Sequence, residues 1–199
     1  MRNIAIAAAL ILLIAAFVAV AQQSDAAPSL DGMAVPTYTA DGDLIRPDGY
    51  RTWVFVGASL GLSYNEDAAE REGPGAFTNV YIQPEAYRYF METGEFPEGT
   101  MLPMDVFRPG SRESINQAGY FEKDFLGMEV AVKDSERYPE GWAYLSFRDR
   151  SGGLRESASA FPKDRCYDCH AEHAATDNVF TQFYPVLQRG EIEHLASDR

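Results

Sequence analysis

Cysteine is scarce in this sequence, because Cys166 and Cys169 are the only two among 199 residues. The one disulfide that they can form would close a very short loop, and such a loop stabilises a fold little through chain entropy. Structural zinc sites usually take their ligands from two separated pairs, and no second cysteine pair is present. The pair therefore indicates another kind of chemistry.

Positive charge is also scarce, because 17 lysines and arginines stand against 30 aspartates and glutamates. Arg2 is the only charged residue among the first 21, so removing that segment changes the formal net charge from −13 to −14. Nucleic acids and anionic lipids bind through Lys and Arg, which excludes both as expected partners. The acids are scattered as on a solvated face, and such a surface would steer a small basic cytochrome toward the chain.

Long apolar runs are absent after residue 21, and the only such run covers residues 4–21. It follows Arg2 and ends in Ala19-Val20-Ala21, which is the pattern of a secretory signal peptide at residues 1–21. Its 18 residues are also just enough to span a bilayer, so an uncleaved membrane anchor is the alternative. Either arrangement would place the rest of the chain outside the cytoplasm.

The remaining chain divides into an irregular N-terminal arm at 22–50, a domain at 51–190 and a polar tail at 191–199. Runs of aromatic and β-branched residues predict strands within the domain, at 52–56, 78–82, 100–107, 128–133 and 142–147. Alternation puts Met128, Val130 and Val132 on one side of their strand. Helical signals predict helices at 85–92, with Pro84 in the first turn and Gly94 after the end, at 163–175, and at about 177–188, where Asp177 or Asn178 would begin the helix. We also expect a loop at 57–75, an edge or bulge at Pro103 and a segment at 154–160 that pairs back. The fold class is therefore α+β, a mainly antiparallel sheet with flanking helices.

Residues 166–170 read Cys-Tyr-Asp-Cys-His, the C-x-x-C-H pattern by which c-type haem is attached. On a helix Cys166 and Cys169 are three residues apart, so both sulfurs face one side and each can add across a haem vinyl group. His170 then places its imidazole beneath the iron as the proximal ligand. The sequence predicts one covalently attached haem c on a helix near the C-terminus.

Two other sites can be built from the same residues. A thioredoxin-like redox pair needs a strand-to-helix turn in a βαβ frame, whereas the preceding strands look antiparallel and Arg165 stands where an aromatic residue is usual. A zinc site could take Cys166, Cys169, His170 and His173, although two of these ligands would be adjacent residues. Haem attachment is the interpretation that motif and context favour.

The second axial position of the iron has no evident histidine. His173 lies on the same side as His170, and His194 lies in the polar tail. Met101 or Met104 could ligate from a strand, and a methionine ligand would indicate a simple six-coordinate electron-transfer cytochrome. We favour a five-coordinate iron with an open distal site, which permits chemistry on small molecules.

Several stretches together resemble the cytochrome P-460 family over about residues 51–187. They are WVFVGASLGLSYN, FTNVYIQPEAYRYFMETGEFPEGTM, GMEVAVKD, GWAYLSF and CYDCHAEHAATDNVFTQFYPVL. The resemblance implies a mainly β, usually dimeric, periplasmic protein with one c-type haem held by Cys166, Cys169 and His170. Some members oxidise hydroxylamine and carry a haem cross-linked to a lysine. The related c′-beta cytochromes lack that lysine and bind nitric oxide or carbon monoxide in an apolar pocket.

The lysine of the hydroxylamine-oxidising members is expected in or near the strand after FPEGT, and here that strand reads MLPMDVF. Lys123, Lys133 and Lys163 are the only lysines of the chain. We therefore expect a periplasmic mono-haem cytochrome with an open distal site, which either oxidises hydroxylamine or binds nitric oxide. Its redox partner would be another cytochrome, and the chain would form a homodimer.

Residues on the distal side of the haem must come from outside the C-x-x-C-H motif. Oxidation of hydroxylamine releases protons, so a carboxylate beside the iron would assist it, and Glu129 is the candidate catalytic base, with Glu122 as another. The alternation of Glu129 with its neighbours also fits an ordinary exposed carboxylate. For a gas-binding cytochrome we expect an apolar distal wall, with four candidate residues: Phe55, Phe107, Phe125 and Phe147.

Overall fold

The computed structural model describes residues 27–64, 70 and 72–188. The predicted signal peptide at 1–21, residues 22–26 of the arm and the tail at 191–199 lie outside this part. The signal peptide and the polar tail therefore stay predictions. Within the described part, no helix is both long and apolar enough to cross a membrane.

The strands are β1 (Leu44–Ile45), β2 (Val54–Leu60), β3 (Phe77–Ile82), β4 (Met101–Gly110), β5 (Phe121–Lys133), β6 (Trp142–Ser146) and β7 (Ser157–Ala158). Five of them form one antiparallel sheet in chain order, β2-β3-β4-β5-β6, and the two short strands β1 and β7 pair separately. The helices are α1 (Pro84–Thr93) and α2 (Tyr167–His173), and short 3-10 turns occupy Tyr50–Thr52, Lys163–Arg165, Thr181–Phe183 and Pro185–Leu187. The predicted α+β class is confirmed.

Each face of the five-stranded sheet is covered by its own cluster of buried side chains. On one face, β5 contributes Met128, Val130 and Val132, which pack with Leu44 and Tyr50 of the N-terminal arm. On the other face, which we call the site face, Leu102 and Tyr144 pack with α1 and with residues 161–187, which we call the C-terminal segment. Because successive side chains of a strand point to opposite faces, Glu129 and Ala131 lie on the site face.

Helix α1 begins and ends where the sequence predicts. Pro84 occupies its first turn, where a missing N–H has no helical partner to lose. Gly94 ends it with φ of 84°, a left-handed conformation that suits glycine. Phe90 is buried and stacks on Phe96 with ring centroids 4.1 Å apart, which fixes the helix on the site face.

Pro103 does not mark an edge strand, since β4 lies in the middle of the sheet. The pairing of β3 with β4 covers residues 104–107 of β4 and stops at Val80 and Met104, so it does not reach Pro103. Met101 precedes Pro103 by two residues, so its N–H points to the same side of β4 as an N–H at position 103 would. This N–H donates to the Gln83 side chain at 2.8 Å. A side chain has replaced the strand partner there, so a residue without an N–H is tolerated in the central strand.

Gln83 should be a strong determinant of stability. Its fully buried amide accepts from Met101 N–H and donates to the carbonyls of Ala34 (3.0 Å) and Gly99 (2.8 Å). Gln83→Leu keeps the size but leaves those three groups without the amide, so we expect a loss of roughly 2–4 kcal/mol in the free energy of unfolding. Urea denaturation measures it. Gln117→Leu, at an exposed glutamine, is the control, and equal stabilities of the two variants would contradict the prediction.

Three predicted segments are corrected by the structure. The loop expected at 57–75 begins only after Leu60, because β2 continues alongside β3 to that residue. The segment 154–160 pairs mainly with the arm through β7 and β1, with single bridges back to Arg148 and Leu145. No helix covers 177–188, because Asp177 and Asn178 have positive φ and Pro185 lacks an N–H, so only 3-10 turns form.

Candidate functional site

A cavity of about 450 Å³ lies between the site face of the sheet and the C-terminal segment. This volume is in the range of cofactor and ligand sites. Its aliphatic wall comes from the sheet, through Val80, Leu102, Met104 and Ala131. Its aromatic wall comes mainly from the C-terminal segment, and consists of Tyr64, Tyr144, Phe161, Phe180 and Tyr184.

Cys166, Cys169 and His170 all line this cavity. The predicted helix over 163–175 is shorter than expected, because a 3-10 turn precedes Cys166 and α2 begins only at Tyr167. The first helical turn is still closed, since His170 N–H donates to the Cys166 carbonyl at 3.1 Å. The spacing that brings both sulfurs to one side is therefore retained although Cys166 lies at the helix boundary.

The chemistry of the Cys166 thiol differs from that of a reactive redox cysteine. Both cysteines are free and half-buried. Burial, followed by the nearby Glu129 carboxylate, raises the pKa of the Cys166 thiol, whereas reactive C-x-x-C thiols have a lowered pKa. Across the residues that the structure describes, no group of three or more His, Cys, Asp or Glu side chains is arranged to hold a bare metal ion.

His170 is oriented as an axial ligand needs to be. Its Nδ1 lies 2.8 Å from the Asn178 carbonyl oxygen, which can only accept, so Nδ1 carries the proton and Nε2 keeps its lone pair. The ring packs between Tyr144 and Phe180, with centroid distances of 4.1 and 4.4 Å. Burial lowers the pKa of His170, and the bond to Asn178 opposes this shift in part, which favours the neutral imidazole that binds iron.

These residues fit a c-type haem. Two thiols and one carbonyl-oriented imidazole face the same cavity, whose other walls are mostly apolar and aromatic, as a porphyrin requires. Cys166 and Cys169 would supply the thioethers, and Nε2 of His170 the bond to iron. The chain offers no other place where thiol and imidazole meet, since it has only these two cysteines.

Glu129 lies on the cavity wall beside Met104, its partner in the register of β5 and β4. Its side chain is exposed to solvent through the cavity, although many protein atoms lie around the carboxylate. Burial raises the pKa of Glu129 above its ordinary 4.5, and Arg165 and Arg148 oppose the shift. Glu122, the other carboxylate proposed from the sequence, is exposed and instead accepts from Asn79 at 2.7 Å outside the cavity lining.

Of the two methionines proposed as a sixth ligand, the structure leaves one at the site. Met104 lines the cavity, on the site face. Met101 is buried in the cluster on the opposite face, so it cannot reach an iron held by His170. The odd spacing of the two residues along β4 accounts for the difference, because it sends their side chains to opposite faces.

The aromatic wall predicted from the sequence is wrong. None of its four members lines the cavity: Phe147 is buried in the opposite cluster, Phe107 and Phe125 pack on each other, and Phe55 is 47% exposed. The wall is formed instead by residues such as Phe161 and Phe180, which flank the C-x-x-C-H motif in sequence. Proximity to the motif is the signal that could have found these two.

The three lysines all form ion pairs outside the cavity lining. Lys123 pairs with Glu113, Lys133 with Asp177, and Lys163 with Glu140. On β4, where the resemblance places a cross-linking lysine, the side chain that reaches the cavity is Met104. The walls of the described site therefore offer a thioether and a carboxylate, and no amine, to a bound cofactor.

An antiparallel sheet followed by a C-x-x-C-H cavity is the arrangement of a β-rich c-type haem protein. The Cytochrome P460 family model matches residues 47–181, about two thirds of the chain, and the chain therefore belongs to the cytochrome P460 family. At the level of the family it is a c-type haem cytochrome that acts on nitrogen compounds. No curated protein matches the chain.

Proposed function

We propose that this chain is an exported, periplasmic cytochrome that holds one haem c through Cys166, Cys169 and His170 and oxidises hydroxylamine. One observation carries the proposal. The carboxylate of Glu129, with a raised pKa, lines the same cavity as the three attachment residues. A proton acceptor at that place is what the oxidation of hydroxylamine requires, because the substrate loses protons together with electrons.

When bound, the haem supplies an iron that takes a small nitrogen compound and accepts its electrons. The chain's own residues hold the haem, orient its axial ligand and take up the proton of the substrate. The Asn178 carbonyl fixes the His170 ring, and the aromatic wall covers one side of the cavity. Glu129 Oε takes the proton, and the guanidinium of Arg165, which stacks 3.9 Å from the Phe161 ring centre, stabilises the carboxylate before proton uptake.

The test is turnover of hydroxylamine by the haem-loaded protein with an artificial electron acceptor. Consumption of hydroxylamine well above that by an equal amount of free haem supports the proposal. Turnover no faster than free haem overturns it.

Nitric oxide binding is the second candidate, and the absence of a lysine from the cavity lining favours it. The sheet side of the cavity is mostly aliphatic, which suits an uncharged diatomic gas. Ferrous protein that binds carbon monoxide and nitric oxide reversibly, without hydroxylamine turnover, would establish this function. Ferrous protein that rejects carbon monoxide would exclude it.

We also propose a homodimer that passes its electrons to a small basic cytochrome. The formal charge of −14 without residues 1–21 supports such a partner, because opposite charges accelerate encounter. Association rates that do not fall as salt is raised would contradict the charge argument. Light scattering of the loaded protein tests the dimer.

An open distal site predicts that Met104 does not ligate the iron. We expect the ferric protein to give a high-spin spectrum, and Met104→Leu, which keeps the apolar volume, to leave it unchanged. Met101→Leu, on the opposite face, is the control for the loss of a thioether. A low-spin ferric spectrum with a methionine–iron band that only Met104→Leu abolishes would instead establish the simple electron-transfer cytochrome.

A further inference from the structure

One backbone carbonyl in the site receives two donors. The Asn178 oxygen lies 2.8 Å from Nδ1 of His170 and 2.9 Å from the hydroxyl of Tyr144, which donates to it. The two donors share the electron density of one acceptor, so a stronger bond from one leaves less for the other. The Tyr144 ring also packs on the His170 ring, so the two donors to this carbonyl are in direct contact with each other.

The turn that presents this carbonyl is held in place by the sheet. Asp177 and Asn178 have φ of 42° and 59°, in the left-handed region that Asp and Asn enter more readily than most other residues. The Asp177 carboxylate accepts from Trp142 Nε1 at 3.0 Å and from Lys133 Nζ at 2.7 Å. Lys133 also donates to the Phe96 carbonyl at 2.7 Å, so its ammonium group is itself fixed.

The two residues that bind Asp177 lie at one end of two neighbouring strands, and Tyr144 lies close to them. Lys133 ends β5 and is the register partner of Trp142, which begins β6. Tyr144 follows Trp142 by two residues and therefore lies on the same face. A rigid sheet end thus determines both where the Asn178 carbonyl lies and how much of its acceptor capacity is left for His170.

We propose that three positioning residues set the donor strength of the His170 imidazole and thereby the reduction potential of the iron. Trp142 and Lys133 act through Asp177, and Tyr144 acts on the Asn178 carbonyl directly. The inference rests on the proposed function only in that His170 is the axial ligand. A stronger bond from Nδ1 to the carbonyl makes the imidazole a stronger donor, which stabilises ferric iron and lowers the potential. A weaker bond raises the potential.

Two uncharged substitutions should move the potential in opposite directions. Tyr144→Phe keeps the ring on His170 but removes the competing donor, so the His170 bond strengthens and the potential falls. Trp142→Phe removes one tether of Asp177, so the turn loosens, the bond weakens and the potential rises. At a fixed solution potential near the midpoint we expect the ferrous-to-ferric ratio to change on the order of tenfold each way, and tenfold is about 59 mV for a one-electron couple.

The experiment is a redox titration of the haem-loaded full chain, with resonance Raman measurement of the iron–histidine stretch in the ferrous state. The stretch should move to higher frequency in Tyr144→Phe and to lower frequency in Trp142→Phe. Tyr184→Phe is a matched control, because that tyrosine lines the cavity but is not among the described donors to Asn178. Trp53→Phe, packed against the opposite cluster, is the control for Trp142.

If Trp142→Phe does not fold, Lys133→Met releases Asp177 from its other tether. Lys163→Met removes an equal charge from the ion pair with Glu140, and Lys133→Met should have the higher potential of the two. Shifts of the same sign in Tyr144→Phe and the tether variant, or shifts no larger than those of the controls, overturn this inference alone. A wild-type protein without an iron–histidine stretch overturns the proposed function and this inference together.

Discussion

Cys166→Ala/Cys169→Ala is expected to yield a protein from which all haem is lost on denaturation. Each thiol can form one thioether, and no further cysteine exists to replace them. Without covalent bonds, only the cavity contacts and His170 would retain the cofactor, and unfolding removes both. Intact mass under denaturing conditions should show wild-type protein heavier by one haem and the double variant at the mass of its polypeptide.

The axial ligand can be separated from the attachment by a second substitution. His170→Ala should keep both thioethers and the added mass but lose the iron–histidine stretch of the ferrous protein. His173→Ala is the control, because this neighbouring histidine has a side chain 59% exposed and is not part of the cavity lining. A double cysteine variant that keeps its haem mass, or a His170→Ala protein with an unaltered spectrum, would contradict the assignment.

Glu129→Gln is expected to lower the turnover of hydroxylamine by roughly 10²- to 10⁴-fold, the usual contribution of a positioned general base. The amide keeps the size of the side chain but cannot accept the proton. Haem content and carbon monoxide binding should be unchanged, because Glu129 is not one of the attachment residues. Glu122→Gln, which changes an exposed carboxylate bound to Asn79, is the matched control and should retain activity.

The pH dependence of this effect follows from the direction of the pKa shift. Glu129 acts as a base only when ionised, so wild-type turnover should rise as the pH increases through a pKa that burial has raised above 4.5. The same shift means that ionisation disfavours the folded state once the pH exceeds the pKa of the unfolded chain. Glu129→Gln should therefore be more stable than wild type at neutral pH and equal to it in acid.

A Glu129→Gln protein with wild-type turnover would rule out this residue as the base. A variant that is inactive yet also less stable at neutral pH would indicate that Glu129 supports the fold and not the reaction. The two measurements together separate a proton acceptor from a structural carboxylate, since a base whose pKa the fold raises should cost stability while it provides activity.

Local sequence chemistry accounts for much of the fold that supports the site. Pro84 and Gly94 delimit α1 as predicted, because each acts through its own backbone. The alternation of Met128, Val130 and Val132 correctly places them together in one buried cluster. The effects of Pro103 and Asp177 were predicted wrongly, because each depends on residues far away in sequence. Pro103 is tolerated because β3 does not pair beside it. Asp177 does not begin a helix, and its carboxylate binds Lys133 and Trp142 instead.

The sequence by itself determined that two sulfurs and an imidazole lie close together, because the C-x-x-C-H spacing places all three within about one helical turn, whatever surrounds them, and this is what predicts the covalent attachment. It also determined that Glu129 and Met128 face opposite ways, since a strand alternates. Only the tertiary structure decided which face receives the haem segment, and with it that Met104, Glu129 and Phe180 line the cavity while Met101 and Phe147 do not. Alternation is a local property of the backbone, whereas the choice of face depends on packing between segments far apart in the chain.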